Sequence, residues 1–133
     1  MIIGCDCDGF ISKKGLFNPN LPLPQCMCIL LAPIFLLVKP NLSVISILKS
    51  IKLMGHEIII ISARSNYVFN LTKKWLERNN VPFKKLICVG IGKGTKERKL
   101  EAIQREKVVF FFDDNERVVA YLRKNSVRAS THL

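Results

Sequence analysis

Few segments of this 133-residue chain suit a membrane, a repeat array or a disulfide scaffold. The longest strongly apolar stretch, residues 29–38, is interrupted by Pro33. Even extended back to Cys26 it falls short of the ~20 residues needed to cross a bilayer. A basic leader followed by an apolar core is missing, as are internal repeats and low-complexity tracts. No cysteine pair has C-x-x-C spacing, and five is an odd number. Cys5/Cys7 with Cys26/Cys28 could form a four-thiolate zinc site only through unusual C-x-C pairs. Buried free thiols in a reducing cytoplasm are the expectation. Acidic residues are scarce, ten against 21 Lys and Arg, a net charge of +11. That excess suits anionic partners such as phosphate esters, nucleotides or nucleic acid without choosing among them. No nucleic-acid motif accompanies it, and few of the aromatics lie outside expected core elements. Many of the basic residues, including Lys73, Lys74, Arg78, Lys84 and Lys85, fall where solvated helix faces and loops are expected. The expectation is one soluble, cytoplasmic domain spanning residues 1–133.

What is present begins at the N-terminus. Ile2-Ile3-Gly4-Cys5 reads as an apolar strand, and it stops abruptly in Asp6-Cys7-Asp8-Gly9. Carboxylates two residues apart at the end of a buried strand repel each other unless a cation or reacting group neutralises them. Such a tip reads as an oxygen-ligand site suited to Mg²⁺. An acidic turn with Gly9 at positive φ is the alternative.

Short β-like runs and amphipathic helices then alternate. Asn41 or Ser43 opens a helix carrying Val44, Ile47, Leu48 and Ile51 at helical spacing, and Gly55 ends it. His56 reads as a turn residue. Glu57–Ile61 is a continuous apolar run ending at Ser62-Ala63-Arg64, the pattern of a strand covered on both faces. Ser65 or Asn66 caps a helix with Val68, Leu71, Trp75 and Leu76 on one side, stopped by Asn79-Asn80-Val81-Pro82. Residues 86–89 form a third strand. Gly90-Ile91-Gly92-Lys93-Gly94 lacks the terminal Gly-Lys-Ser/Thr of a phosphate-binding P-loop and reads as a turn. Thr95 opens a charged helix with Leu100 and Ile103. Residues 108–112 form a fourth strand ending in Asp113-Asp114. Asn115 caps a last helix with Val118, Tyr121 and Leu122 inward, and residues 126–130 form an edge strand. Single helices between strands imply right-handed crossovers and a parallel α/β sheet covered on both faces. In such sheets chemistry gathers beyond the carboxyl ends of the strands, where Asp6/Asp8, Ser62 and Asp113/Asp114 all fall. Residues 10–40 are too long for an ordinary connection and read as a flap or small cap. The apolar stretch 29–38 serves either as a homo-oligomer interface or as cover for the sheet edge.

In this order, D-x-D-G after strand one, a strand ending in Ser62, a lysine opening a helix and a strand ending in Asp113-Asp114 resemble the haloacid dehalogenase-like (HAD-like) hydrolases. The segment Ile60-Ser62-Ala63-Arg64 with Trp75-Leu76 looks most like the 5′(3′)-deoxyribonucleotidase-type branch. The resemblance implies a three-layer α/β/α Rossmann-like fold and a Mg²⁺-dependent phosphatase of small phosphomonoesters, nucleotides among them. By that pattern Asp6 is the nucleophile that forms an aspartyl-phosphate. Asp8 protonates the leaving group and then activates water. Mg²⁺ binds Asp6, Asp8 through its backbone carbonyl, Asp113, and Asp114 directly or through water. Ser62 hydrogen-bonds a phosphoryl oxygen, with Ala63 and Arg64 beside it in the substrate-binding segment. Arg64 either reaches the phosphate or covers the sheet edge. Lys99, fourteen positions before Asp113, is preferred to Lys96 as the lysine that neutralises the site. Phosphorelay receiver domains share the sheet and its acidic groups, but they need an aspartate after strand three, and here there is none. A polynucleotide or protein phosphatase with an open site, or a silent HAD-like binding domain, are the competing functions.

Overall fold

In the computed structural model, residues 1–13 and 37–133 are described. Five strands form one parallel sheet: β1 (Ile2–Cys5), β2 (Glu57–Ser62), β3 (Lys85–Cys88), β4 (Phe110–Phe112) and β5 (Arg128–Ser130). Among the described residues four α-helices accompany them: α1 (Leu42–Leu53), α2 (Phe69–Arg78), α3 (Thr95–Arg105) and α4 (Glu116–Lys124). A 3-10 turn, Asn66–Val68, leads into α2. The spatial order is β3-β2-β1-β4-β5. The chain therefore winds outward from β1 to β3, then reverses across β1 to add β4 and β5. That reversal puts the topological switch point at the carboxyl ends of β1 and β4, where ligand crevices form in such sheets.

The unbroken isoleucine run explains the three layers. Ile58 and Ile60 point to one face, where they pack with Ile45 and Leu48 of α1, Trp75 and Leu76 of α2, and Cys5 and Cys7. Ile59 and Ile61 point to the other, with Ala102 and Ile103 of α3, Val119 and Leu122 of α4, and Phe111. All four isoleucines are buried. Burying each one stabilises the fold by about 1.5–3 kcal/mol. Gly4 lets the second layer close: a Cβ there would lie 2.6 Å from Phe111 Cδ2 and 2.9 Å from Val108 Cγ1. Any side chain at this point of β1 would displace the Phe111 ring.

Local chemistry differs from the sequence expectation in small ways. Asn41 does occupy the N-cap of α1, but its side chain donates to the Phe10 carbonyl (3.4 Å) and makes no capping bond. Ile45 takes the buried position of that helix with Leu48, and Ile47 faces solvent. Gly94, at φ +83°, precedes α3, and Thr95 is its first residue. The Thr95 hydroxyl contacts the Gly92 and Gly90 carbonyls at 2.7 and 3.1 Å, closing the glycine turn on itself. Ser65 caps the 3-10 turn and Asn115 caps α4, each accepting from the backbone N–H two residues on. In α4 Val119 joins Leu122 in the core, while Val118 and Tyr121 are half-buried. The third, fourth and fifth strands are Lys85–Cys88, Phe110–Phe112 and Arg128–Ser130, each displaced or shortened from its expected span.

The base of the long connection after β1 is ordered. Lys13 N–H donates to the Lys39 carbonyl (3.0 Å), Asn41 N–H to that of Ile11 (2.7 Å), and Trp75 Nε1 to that of Val38 (2.9 Å). The flap and interface expected for residues 10–40 and 29–38 lie mostly outside the described residues, as do Cys26 and Cys28. Among the described residues no helix is long and apolar enough to cross a membrane.

Candidate active site

Strand register brings the acidic groups together. Cys5 of β1 lies opposite Ile60 on one side and Phe112 on the other. The next residues along, Asp6 and Asp113, are therefore neighbours on adjacent strands. The Asp6 N–H continues the ladder to the Phe112 carbonyl at 2.8 Å. Oxygens of Asp6, Asp113 and Asp114 all lie within 4.8 Å of one another. Gly9 makes room for the third. It sits at φ +80°, and a Cβ on it would overlap the Asp114 carboxylate. Gly9→Ala should therefore shift Asp114 and cost about 1–2 kcal/mol of stability from the positive φ alone. Urea melts of the variant beside the wild type check this.

Lys99 closes the cluster from α3. It shares a face with Ala102 and Ile103, so helical periodicity carries it inward, where it is 3% exposed. Its Nζ donates to Asp113 Oδ2 at 2.6 Å and lies 3.0 Å from Asp6 Oδ1. Burial opposes its charge, but the Asp6 and Asp113 carboxylates outweigh burial and hold its pKa above the ordinary lysine value. Lys96 is half-exposed, 3.9 Å from Glu97 and 4.7 Å above the Tyr121 ring. Lys99 is thus the lysine at the strand ends.

The three carboxylates are not equally satisfied. Asp113 is 1% exposed and has a partner on each oxygen: Lys99 on Oδ2 and the Asn115 N–H on Oδ1 (2.9 Å). Asp6 is also buried, yet its Oδ1 receives no directed hydrogen bond, because the Lys99 contact lies off the hydrogen-bonding line. Burial raises the Asp6 pKa, Lys99 lowers it, Asp113 and Asp8 raise it again, and the outcome is about 7. A buried carboxylate oxygen with an unfilled lone pair, two further carboxylates within reach and an all-oxygen donor set fit a hard divalent cation. Thiolates do not compete. Cys5, Cys7 and Cys88 are free and buried, and burial raises all three thiol pKa values.

On the opposite face of β1 a second polar group forms. The Asp8 side chain stands apart from the three-carboxylate cluster. Arg64, just after β2, grips both its oxygens: Nε to Oδ2 at 2.8 Å and a terminal nitrogen to Oδ1 at 2.5 Å. The other terminal nitrogen donates to Thr72 Oγ1 at 3.2 Å, and the Thr72 hydroxyl donates to the Val68 carbonyl at 2.9 Å. Ser12 Oγ lies 3.4 Å from Asp8 Oδ1. Ser62, which ends β2, is fully buried; its Oγ accepts from the Arg64 N–H (3.2 Å) and keeps its own proton to donate. Ala63 is half-buried between them. Sequence reasoning passed over Thr72 and Ser12. Thr72 had one signal: it lies four residues after Val68 and four before Leu76 on the buried side of α2.

No protein-family model matches this chain. A 59-residue stretch, 44% of the chain, is 39% identical to the "Putative nucleotidase BH1399" of Halalkalibacterium halodurans, and spans 28% of that protein. Among solved structures, a chain of the Pnkp1/Rnl/Hen1 RNA repair complex superposes with a TM-score of 0.74 at 20% identity. That match covers 98% of this chain and 42% of the other. A second structure of a Pnkp1/Rnl/Hen1 complex gives 0.74 at 21% identity, covering 98% and 45%. The chain therefore spans less than half the length of each of these three proteins. At such identities the structural likeness is one of fold, the three-layer α/β/α arrangement.

Proposed function

We propose that this chain is a HAD-like, Mg²⁺-dependent phosphatase of phosphomonoesters, with nucleotides as the favoured substrates. One observation carries the reading: a buried lysine bridging Asp6 and Asp113, with Asp114 in reach, at the crevice of a parallel sheet. The 39% identity to a protein named as a nucleotidase supports the substrate class.

Asp6, Asp113 and Asp114 would hold the cation. When bound, Mg²⁺ would screen the repulsion between an anionic nucleophile and an anionic phosphoryl group. The remaining work belongs to the chain's own groups. A carboxylate oxygen of Asp6 attacks phosphorus as the bond from phosphorus to the ester oxygen breaks, giving an aspartyl-phosphate. Asp8 supplies the proton that the departing alkoxide takes up. It then accepts a proton from the water that attacks the aspartyl-phosphate, and inorganic phosphate leaves with Asp6 restored. Lys99 and the Ser62 hydroxyl offset the charge that builds on the phosphoryl oxygens.

The test is hydrolysis of p-nitrophenyl phosphate and of nucleoside monophosphates by the purified chain, with Mg²⁺ and then with EDTA. The expected outcome is turnover that EDTA abolishes and added Mg²⁺ restores. Background rates in both conditions would leave a silent binding domain as the function. A second reading, phosphate removal from polynucleotide ends, draws support from the +11 charge and from the fold shared with a chain of an RNA repair complex. It requires preference for a 3′- or 5′-phosphorylated oligonucleotide over the mononucleotide, weakening steeply with salt.

A further inference from the structure

We propose that Arg64 is a positioning residue, anchored by Thr72, that fixes the Asp8 carboxylate and keeps it out of the Asp6–Asp113–Asp114 cluster. The inference rests on the phosphatase reading above and assigns Arg64 a role other than substrate binding. Sequence reasoning left Arg64 between a phosphate ligand and a cover for the sheet edge, and the geometry points to neither.

The Arg64 side chain is 4% exposed, whereas that of Asp8 is 40% exposed. The buried partner thus holds the accessible one. The Nε edge of a guanidinium is a planar fork that matches the two oxygens of a carboxylate, and both bonds of that fork are made. Such a pair fixes the plane of the carboxylate as well as its place. The guanidinium is fixed in turn. Thr72, with no exposed surface, spends its single hydroxyl proton on the Val68 carbonyl and so must present a lone pair to Arg64. At the backbone, the Arg64 N–H donates to Ser62 Oγ, and the Arg64 carbonyl accepts from the Gly90 N–H (3.1 Å). Three of the five guanidinium N–H groups are committed to Asp8 and Thr72.

The arrangement also accounts for the division among four neighbouring carboxylates. Asp6 and Asp8 are two residues apart, and a free Asp8 could turn towards the cation site. With both oxygens engaged on the α2 face, it stays available to the leaving group. Lysine at position 64 could not reproduce this, because an ammonium is a point charge that cannot fork two oxygens while also reaching Thr72.

The test is a double-mutant cycle on the full chain with Mg²⁺, reading kcat/KM on an alkyl phosphate together with the inhibition constant of inorganic phosphate. Arg64→Lys should lower kcat/KM by about 10–100-fold, the usual scale for a misplaced reacting group. Placed on Asp8→Asn, the same change should cost less than about threefold, because its effect runs through Asp8. Inhibition by phosphate should be unchanged within about threefold by Arg64→Lys, since a group that does not touch phosphate contributes little to its affinity. Thr72→Val, nearly isosteric, should give a smaller loss with the same dependence on Asp8. Losses that multiply independently in the double variant, or a phosphate inhibition constant raised tenfold or more, would overturn the positioning role and leave the phosphatase reading standing. A wild-type chain that hydrolyses no phosphomonoester would remove that reading and this inference with it.

Discussion

Asp6→Asn is expected to lower kcat/KM by about 10³-fold or more, as loss of an attacking group does. It should leave the metal-free protein at pH 8 no less stable than the wild type. The two halves of this result have separate causes. On the proposed mechanism, activity falls because an amide oxygen does not form the acyl-phosphate. Stability holds because the buried Asp6 carboxylate is an electrostatic burden without a cation: burial, opposed by Lys99 and aided by Asp113 and Asp8, raises its pKa to about 7 from the ordinary aspartate value of about 3.9. Between those values the folded protein binds a proton that the unfolded chain does not, so wild-type stability falls as pH rises from about 4 to about 7. An asparagine of the same shape stays neutral and removes that slope. Lys99 is not orphaned, because it keeps its 2.6 Å bond to Asp113. Urea melts in EDTA at half-unit pH intervals, alongside kinetics with Mg²⁺, read both halves. A variant that loses stability at pH 8 would mean that the Asp6–Lys99 attraction exceeds the burial cost.

What the sequence made legible here, and what it did not, follows from range. The strands of the sheet centre could be read because a run such as Ile58–Ile61 has one stable solution, burial on both faces, and because each run stops at polar residues. The meeting of Asp6 and Asp113 followed from topology: parallel strands end on the same side, so residues just past β1 and β4 fall together. Lys99 was reachable through its separation from Asp113, and its spacing to Ala102 and Ile103 marks the same inward face. The Arg64–Asp8 pair was not reachable. It joins residues 56 positions apart, and an arginine after a strand looks the same whether it faces a phosphate, solvent or a carboxylate. Thr72 was hidden for a related reason, since a threonine within a charged helix carries no sign of what its hydroxyl meets. The close approach of Gly9 to Asp114 was half visible. The turn glycine could be read as a positive φ, but the carboxylate filling the space of its missing Cβ arrives from more than a hundred residues away. Shifts of one or two residues, such as Val119 for Val118 and Ile45 for Ile47, reflect how little a helical stripe constrains its own rotation before the sheet is in place.

Lys99→Met should produce the largest loss of stability of any single substitution in the site, about 3–5 kcal/mol at pH 8 without metal. The side chain is buried, and methionine nearly matches its length and volume, so packing is not the cause. The loss comes from the partners. Asp6 and Asp113 are buried neighbours on adjacent strands, and Lys99 is the positive charge between them. Removing it leaves two carboxylates facing each other in a medium that solvates neither, with Asp114 close by. Two treatments should restore the fold by different routes. Acid should do so by protonating the pair, so the gap from wild type narrows as pH falls below 7. Millimolar Mg²⁺ should do so by replacing the missing charge, raising the midpoint of the variant more than that of the wild type. Turnover should not return with either treatment, because in the proposed mechanism the lysine also offsets charge on the phosphoryl oxygens. Lys96→Met is the control: its ammonium is half-exposed and should change stability by no more than about 0.5 kcal/mol. If Lys99→Met unfolds no more easily than Lys96→Met in EDTA, the strand-end carboxylates do not depend on this lysine, and the electrostatic account of the site fails with it.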